Sequence, residues 1–255
     1  MSDSNGISTE LRLAQRERPA GPPVMYQSWQ DLLFLHWRLS PADIQATLPP
    51  GLHVDLFEGE AYIGIVPFFM RRIRPRGLPA VSMISDFLEL NVRTYVYDEN
   101  GTPGVWFYSL DTNQPLAVIY ARTFYKLPYF RAKMRATGRD PINYSCLRGR
   151  ASGTGESHFR YQGIGATREA EPGSLEFFLT ERYVLFAFDE KDQQLSLGRV
   201  HHPPYKISAV EVSTYDTKMM QMSNFDDPER PPDNALYSPG VDVEVFPLEA
   251  VARLD

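Results

Sequence analysis

Along most of the chain, apolar and polar residues alternate in short runs broken by Gly, Pro, Asn and Asp, the pattern of strands and turns. The clearest run is Phe87–Tyr97. There Leu88, Leu90, Val92, Thr94 and Val96 fall on one face, and Glu89, Asn91, Arg93, Tyr95 and Tyr97 on the other. The Asn-Gly turn in Asp98-Glu99-Asn100-Gly101 predicts a partner strand over Val105–Asp111. Further strands are predicted over Trp29–Leu39, Tyr144–Gly149, Phe159–Ala166, Leu175–Phe188, Val200–Val212 and Val241–Phe246. A hairpin around Phe57-Glu58-Gly59-Glu60 joins His53–Leu56 to Ala61–Met70. Two helices interrupt this pattern. A short one opens at Ser40-Pro41-Ala42-Asp43, and a longer one covers Gln114–Tyr125, with Asp111, Thr112 or Asn113 as its cap and Pro115 in its first turn. Residues 1–24 are polar, with Pro and Gly, and predict a loose tail ahead of a single domain over 25–255. The sum is a mainly antiparallel β domain with a few helices.

Composition narrows the function. The 255 residues carry 26 Lys and Arg against 32 Asp and Glu, a net charge of −6. An acidic chain lacks the basic footprint of a nucleic-acid binder, so no such partner is expected. No apolar run reaches the roughly 18 residues of a membrane span, and no membrane partner is expected either. The single cysteine, Cys146, excludes an internal disulfide and a Cys-rich zinc site. Residues 1–24 contain no apolar secretory stretch, which makes the cytoplasm the default location. The histidines at 36, 53, 158, 201 and 202 have no metal-ligand spacing, so neither metal nor cofactor is expected. No Gly-rich nucleotide loop or GxSxG elbow is present.

Several residues are candidates for chemistry, each with a plainer reading beside it. Glu181 shares a predicted strand face with Leu179, Tyr183 and Leu185, so it either lines a wet cavity or pairs with a cation. Asn91 and Arg93 offer donors to an anionic or carbonyl ligand if their face of Phe87–Tyr97 points inward, and are surface groups if it points outward. Ser109 and Asp111 lie on the face of Phe107, with Asp111 doubling as a helix cap. Arg122 is either a guanidinium fork for a carboxylate or a cation complementing a helix C-terminus. His201 and His202 point to opposite faces of a strand, and one of them is a candidate proton carrier. Arg71, Arg72, Arg74 and Arg76, beside Pro75 and Gly77, read as a solvated loop.

A set of short motifs runs in order over about residues 25–248: Leu48-Pro49-Pro50-Gly51-Leu52, Gly64-Ile65-Val66-Pro67-Phe68, Glu89-Leu90-Asn91-Val92-Arg93-Thr94-Tyr95-Val96, Ser109-Leu110-Asp111, Ala121-Arg122 with Leu127-Pro128-Tyr129, Leu179-Thr180-Glu181-Arg182-Tyr183, and Ser238-Pro239-Gly240-Val241-Asp242-Val243. In these the chain resembles the YqjF-like bacterial family of unknown function, grouped with the acetoacetate decarboxylase-like superfamily. The resemblance implies an antiparallel β-barrel with flanking helices around a small cavity. The decarboxylases hold a Schiff-base lysine in a Pro-Lys-Lys sequence. Here Pro128 is followed by Tyr129 and Phe130, so both lysine positions are lost, and Lys126 stands at a different register. The cationic neighbour that activates such a lysine, for which acetoacetate decarboxylase is the standard example, is lost with it.

The expectation is therefore a small-molecule-binding barrel that acts on or binds a small carboxylate or oxo compound without an imine. Its expected lining is Arg93, Arg122, Tyr129 and Glu181, with Asn91, Ser109 or His202 beside them. Tyr129 and Glu181 would be the acid/base groups of a lyase, hydratase or isomerase, and the others would bind substrate. A non-catalytic ligand-binding or sensing protein, or a structural subunit, is the alternative, and a homo-oligomer is left open.

Overall fold

The computed structural model describes residues 7–149 and 155–253. The strands are β1 (Met25–Leu39), β2 (Leu52–Val54), β3 (Ala61–Pro75), β4 (Phe87–Asp98), β5 (Pro103–Thr112), β6 (Tyr129–Thr137), β7 (Ile142–Arg148), β8 (Ser157–Arg168), β9 (Val184–Asp189), β10 (Gln194–His201), β11 (Ile207–Thr214) and β12 (Asn234–Arg253). The helices are α1 (Thr9–Ala14), α2 (Pro41–Gln45), α3 (Ser82–Ser85), α4 (Pro115–Tyr120), α5 (Leu175–Thr180) and α6 (Lys218–Gln221), and a π-helical turn over Ala121–Tyr125 continues α4.

The strands make one ring-like sheet that closes twice. Strands β4, β5, β9, β10, β12, β1 and β3 pair in a cycle. A second cycle leaves β5 through β6, β7, β8 and β11 and rejoins at β12. The described pairings are antiparallel except β5–β6 and β5–β9, which are parallel. Strands β12, β1, β3, β4 and β5 belong to both rings, so side chains on either face of them meet protein. On β4 the face of Leu88, Leu90 and Val92 packs with Leu33, Leu35, Ile63 and Ile65 into the core of the second ring. The opposite face, with Phe87, Glu89, Asn91 and Arg93, looks into the first ring. The alternation in the sequence is therefore real, but it separates two interiors and not an interior from solvent.

Four predicted elements differ from the fold, each for a local reason. The segment Leu175–Phe188 is not one strand. Ser174 Oγ accepts from Phe177 N at 3.2 Å and opens helix α5, whose Phe177, Phe178, Leu179 and Thr180 are all buried. An all-round buried helix has no polar stripe to distinguish it from a strand. The segment Val200–Val212 breaks between β10 and β11 at Pro203-Pro204, which lack the N–H a ladder needs. The turn Phe57–Glu60 forms, but β2 pairs with β4 and not with β3. The arginine cluster lies on β3 as far as Arg74, and Arg72 pairs with Asp242 at 2.6 Å.

The expected loose tail is also corrected over its described part, residues 7–24; residues 1–6 lie outside the described residues. Ser8 caps α1, and Arg12, 4% exposed, gives both guanidinium nitrogens to Asp55 at 2.6 and 2.8 Å. Arg182 Nη1 reaches the same carboxylate at 2.7 Å. Two guanidiniums on one buried carboxylate tie residues 9–14 to β2 and to the end of α5.

Candidate functional site

The first ring encloses a cavity of about 280 Å³. Most of its wall is apolar, including Leu32 of β1, Val66 and Phe68 of β3, Phe107 and Leu110 of β5, and Val245 of β12. Helix α4 and the π-helical turn contribute Leu116, Ala117, Tyr120, Ala121 and Tyr125. The charged groups on the wall are Glu89 and Arg93, with Asn91 between them at every second position of β4, so all three point the same way.

Glu89 is buried and accepts a hydrogen bond on Oε2 from Tyr129 Oη at 2.8 Å. Burial raises its pKa to about 8, with Asp111 adding to the rise and the Tyr129 bond opposing it. The carboxyl is therefore mostly protonated at neutral pH. Burial and the facing carboxyl push the Tyr129 hydroxyl well above its ordinary value, so it remains a donor.

Arg93 is 9% exposed and has no carboxylate in ion-pair range among the described residues. Its Nη2 donates to Leu179 O at 3.1 Å, its guanidinium lies over Phe34 and Tyr95, and its Nε has no partner. Asn91 Oδ1 is likewise buried without one. Behind Arg93, the Tyr95 hydroxyl donates its proton to Leu179 O at 2.7 Å and stands 2.7 Å from His36 Nε2. A hydroxyl has one proton to give, so His36 must donate from Nε2. Burial and Arg93 hold the His36 pKa down at about 3, so the ring is neutral. Arg93 is thus the only cation on the cavity wall among the described residues, and it reaches the wall without a counter-ion.

Of the residues singled out in the sequence, the fold brings Asn91, Arg93 and Tyr129 together at the cavity and sends the rest elsewhere. Arg122 is exposed, with Nε on Tyr129 O at 2.6 Å and its guanidinium over Phe130; it does not line the cavity. Arg122 follows the exposed Ile119 by three residues, on the helix face opposite the cavity-lining Ala117, Tyr120 and Ala121, so helical period turns it outward. Glu181 caps α5 behind the wall. It takes hydrogen bonds from Tyr205 N at 2.9 Å, Arg16 Nη2 at 3.1 Å and the Tyr183 hydroxyl. Both of its oxygens are engaged, so it fastens the N-terminal segment and the backbone of Tyr205. Ser109 and Asp111 turn away because β5 bulges at Tyr108: Phe107 pairs with Arg93, but Ser109 pairs with Val92 and Asp111 with Leu90. Asp111 caps no helix; Arg148 holds it with two bonds of 2.6 Å, and Gln114 caps α4. His202 is buried, stacked on Tyr183 with ring centroids 4.5 Å apart, and borders a separate polar recess with Arg72 and Arg74. Lys126 is half-exposed and pairs with Asp189 at 3.1 Å. No lysine is found on the cavity wall among the described residues.

Glu89 is the residue sequence reasoning did not select. The signal was its position two residues before Asn91 and four before Arg93 on one strand face. What was missing was the second ring, which makes that face an interior. Among the described residues no cluster of three His, Cys, Asp or Glu is placed to hold a metal ion, and no helix is long and apolar enough to cross a membrane.

Comparison with known proteins agrees with this architecture. A family model described as an uncharacterized conserved protein, DUF2071, matches residues 26–242. The uncharacterized protein YqjF of Bacillus subtilis is 36% identical over 231 residues, covering 90% of this chain and 93% of that protein. The acetoacetate decarboxylase of Legionella pneumophila superposes with a TM-score of 0.62 at 14% identity, covering 92% of this chain and 88% of that one. The enduracididine biosynthesis enzyme MppR, complexed with pyruvate, superposes with a TM-score of 0.61 at 12% identity, covering 91% and 92%. At such identities the structural likeness is one of fold. The chain belongs to the DUF2071 family, is a homologue of YqjF, and has the mainly β fold of the acetoacetate decarboxylase-like proteins.

Proposed function

We propose that the protein binds a small carboxylate or oxo compound in the first-ring cavity and handles it without an imine. The observation that carries this reading is Arg93: a buried guanidinium on an apolar wall with no carboxylate beside it. An unpaired buried charge is costly, and a ligand carboxylate is its natural complement. Asn91 beside it has a buried Oδ1 without a partner, an acceptor for a hydroxyl or other donor on the ligand. A structural neighbour in complex with pyruvate is consistent with this ligand class.

The Glu89–Tyr129 pair suits proton transfer at an oxo group. A neutral carboxyl donates to a carbonyl oxygen, and the Tyr129 hydroxyl steadies the carboxylate left behind. This is acid/base chemistry of the lyase, hydratase or isomerase kind, and it asks for no amine. The test is a thermal-shift screen of short carboxylates and oxo acids against their amides. A ligand at about 100 times its Kd stabilises by roughly 2.7 kcal/mol, a shift of about 5–10 °C for a domain of this size. The expected result is a shift for acids only, lost in Arg93→Met. Equal shifts from amides, or shifts unchanged in Arg93→Met, would overturn the reading.

A further inference from the structure

We infer that the preferred ligand is an amphipathic monocarboxylate with an extended apolar chain, lying along β4 with its head at Arg93 and its tail directed to the α4 lip. This rests on the anion-binding reading above and names the class of acid. The polar groups of the wall concentrate on β4, whereas the surrounding strands present Leu32, Val66, Phe68, Leu110 and Val245. A pyruvate-sized acid would satisfy Arg93 and leave these walls facing solvent-sized gaps. Arg93 and Phe87 both line the cavity and lie six residues apart on one strand, a run of about 20 Å at roughly 3.3 Å per residue.

The far end of the cavity is where it meets solvent. Ile84, Leu116 and Tyr120 line the cavity and are also 46%, 57% and 41% exposed, so each spans the wall and the outside. Ile119 and Phe124 extend the apolar surface outward from this lip, both 63% exposed. The Phe124 ring packs on that of Tyr120 with centroids 4.9 Å apart, so apolar side chains gather at the cavity mouth. A chain too long for the enclosed volume would emerge here against side chains that match it. The geometry thus orders the ligand: an anionic head at the inner end and an aliphatic tail at the lip, with Glu89 and Tyr129 beside the chain, about 13 Å along the strand from Arg93 at roughly 3.3 Å per residue.

The experiment is calorimetric titration of the full chain with linear saturated monocarboxylates and 2-oxo acids, from two to ten carbons, below their micellar concentrations. At about 0.8 kcal/mol per buried methylene, Kd should fall about fourfold per added carbon across the series. Leu116→Asp, at a position 57% exposed, should flatten this gain for the long acids. Tightest binding for acids of two to four carbons, with no gain on lengthening, would overturn the inference; if that binding is lost in Arg93→Met, the anion reading survives alone. A chain-length gain that persists undiminished in Leu116→Asp would overturn the tail's placement. Binding by no acid of any length would overturn both readings.

Discussion

Tyr129 at the start of β6 donates its hydroxyl proton to Glu89 of β4 at 2.8 Å, across a wall that is otherwise mostly hydrocarbon. The bond joins a carboxyl with pKa raised by burial to a phenol that stays protonated. Unfolded, Glu89 titrates near its ordinary 4.5; folded, near 8. Between these values the folded state holds a proton that the unfolded state has lost. Stability from this group is therefore fully present below about pH 4.5 and declines as pH rises toward 8, with a slope of at most about 1.4 kcal/mol per pH unit. Urea unfolding between pH 5 and 8 measures it. Glu89→Gln should remove this component of the slope, and an unchanged slope would show that Glu89 titrates normally.

Asp111 and Arg148 form a two-bond ion pair in which the carboxylate is fully buried. Removing the guanidinium leaves a buried charge, so Arg148→Ala should destabilise by about 3–5 kcal/mol. The double variant Asp111→Asn with Arg148→Met should recover part of that loss. Chemical denaturation of the single and double variants reads both numbers, and equal losses would contradict the argument.

Arg12 should matter although it stands near the start of the chain. Its two bonds to Asp55 are buried, and Arg182 shares the same carboxylate. Arg12→Leu is expected to cost about 2–4 kcal/mol and to speed proteolysis within residues 7–24. Limited digestion followed by mass spectrometry checks it; a cleavage pattern unchanged from the parent would mean that the segment is held by other contacts.

Gly240 has φ +130°, and a Cβ there would stand 2.1 Å from Trp29 O. Both the conformation and the space exclude a side chain, because β1 passes directly against it. Gly240→Ala should destabilise by about 3 kcal/mol or prevent folding. Gly59→Ala offers the contrast. It shares a positive φ of +85° but has open space around its Cβ, so its cost should be about 1 kcal/mol, from strain alone. Comparable melting temperatures for the two variants would refute the role assigned to Trp29.

Local pattern determined a good part of this protein. Alternation between apolar and polar residues predicted β1, β4, β5, β7 and β8, the Asn-Gly turn predicted the β4–β5 pairing, and Ser40-Pro41 predicted the start of α2. These features arise from residues within a few positions of one another, and side-chain period and turn chemistry are enough to reveal them. The row Glu89, Asn91, Arg93 was visible too, but its environment was not. Only the pairing of β12, β1, β3, β4 and β5 into two rings makes both faces of β4 interior, and such pairing joins residues far apart in the chain. The same holds for the misplaced candidates. A bulge at Tyr108 turned Ser109 and Asp111 out of the cavity, helical period set Arg122 on the outer face with Ile119, and the buried environment of α5 gave Glu181 a structural task. The first depends on a one-residue change of register, the second on which helix face meets the sheet, and the third on partners distant in sequence. Residue type and spacing set which groups were available, and tertiary packing decided which of them face the same empty volume.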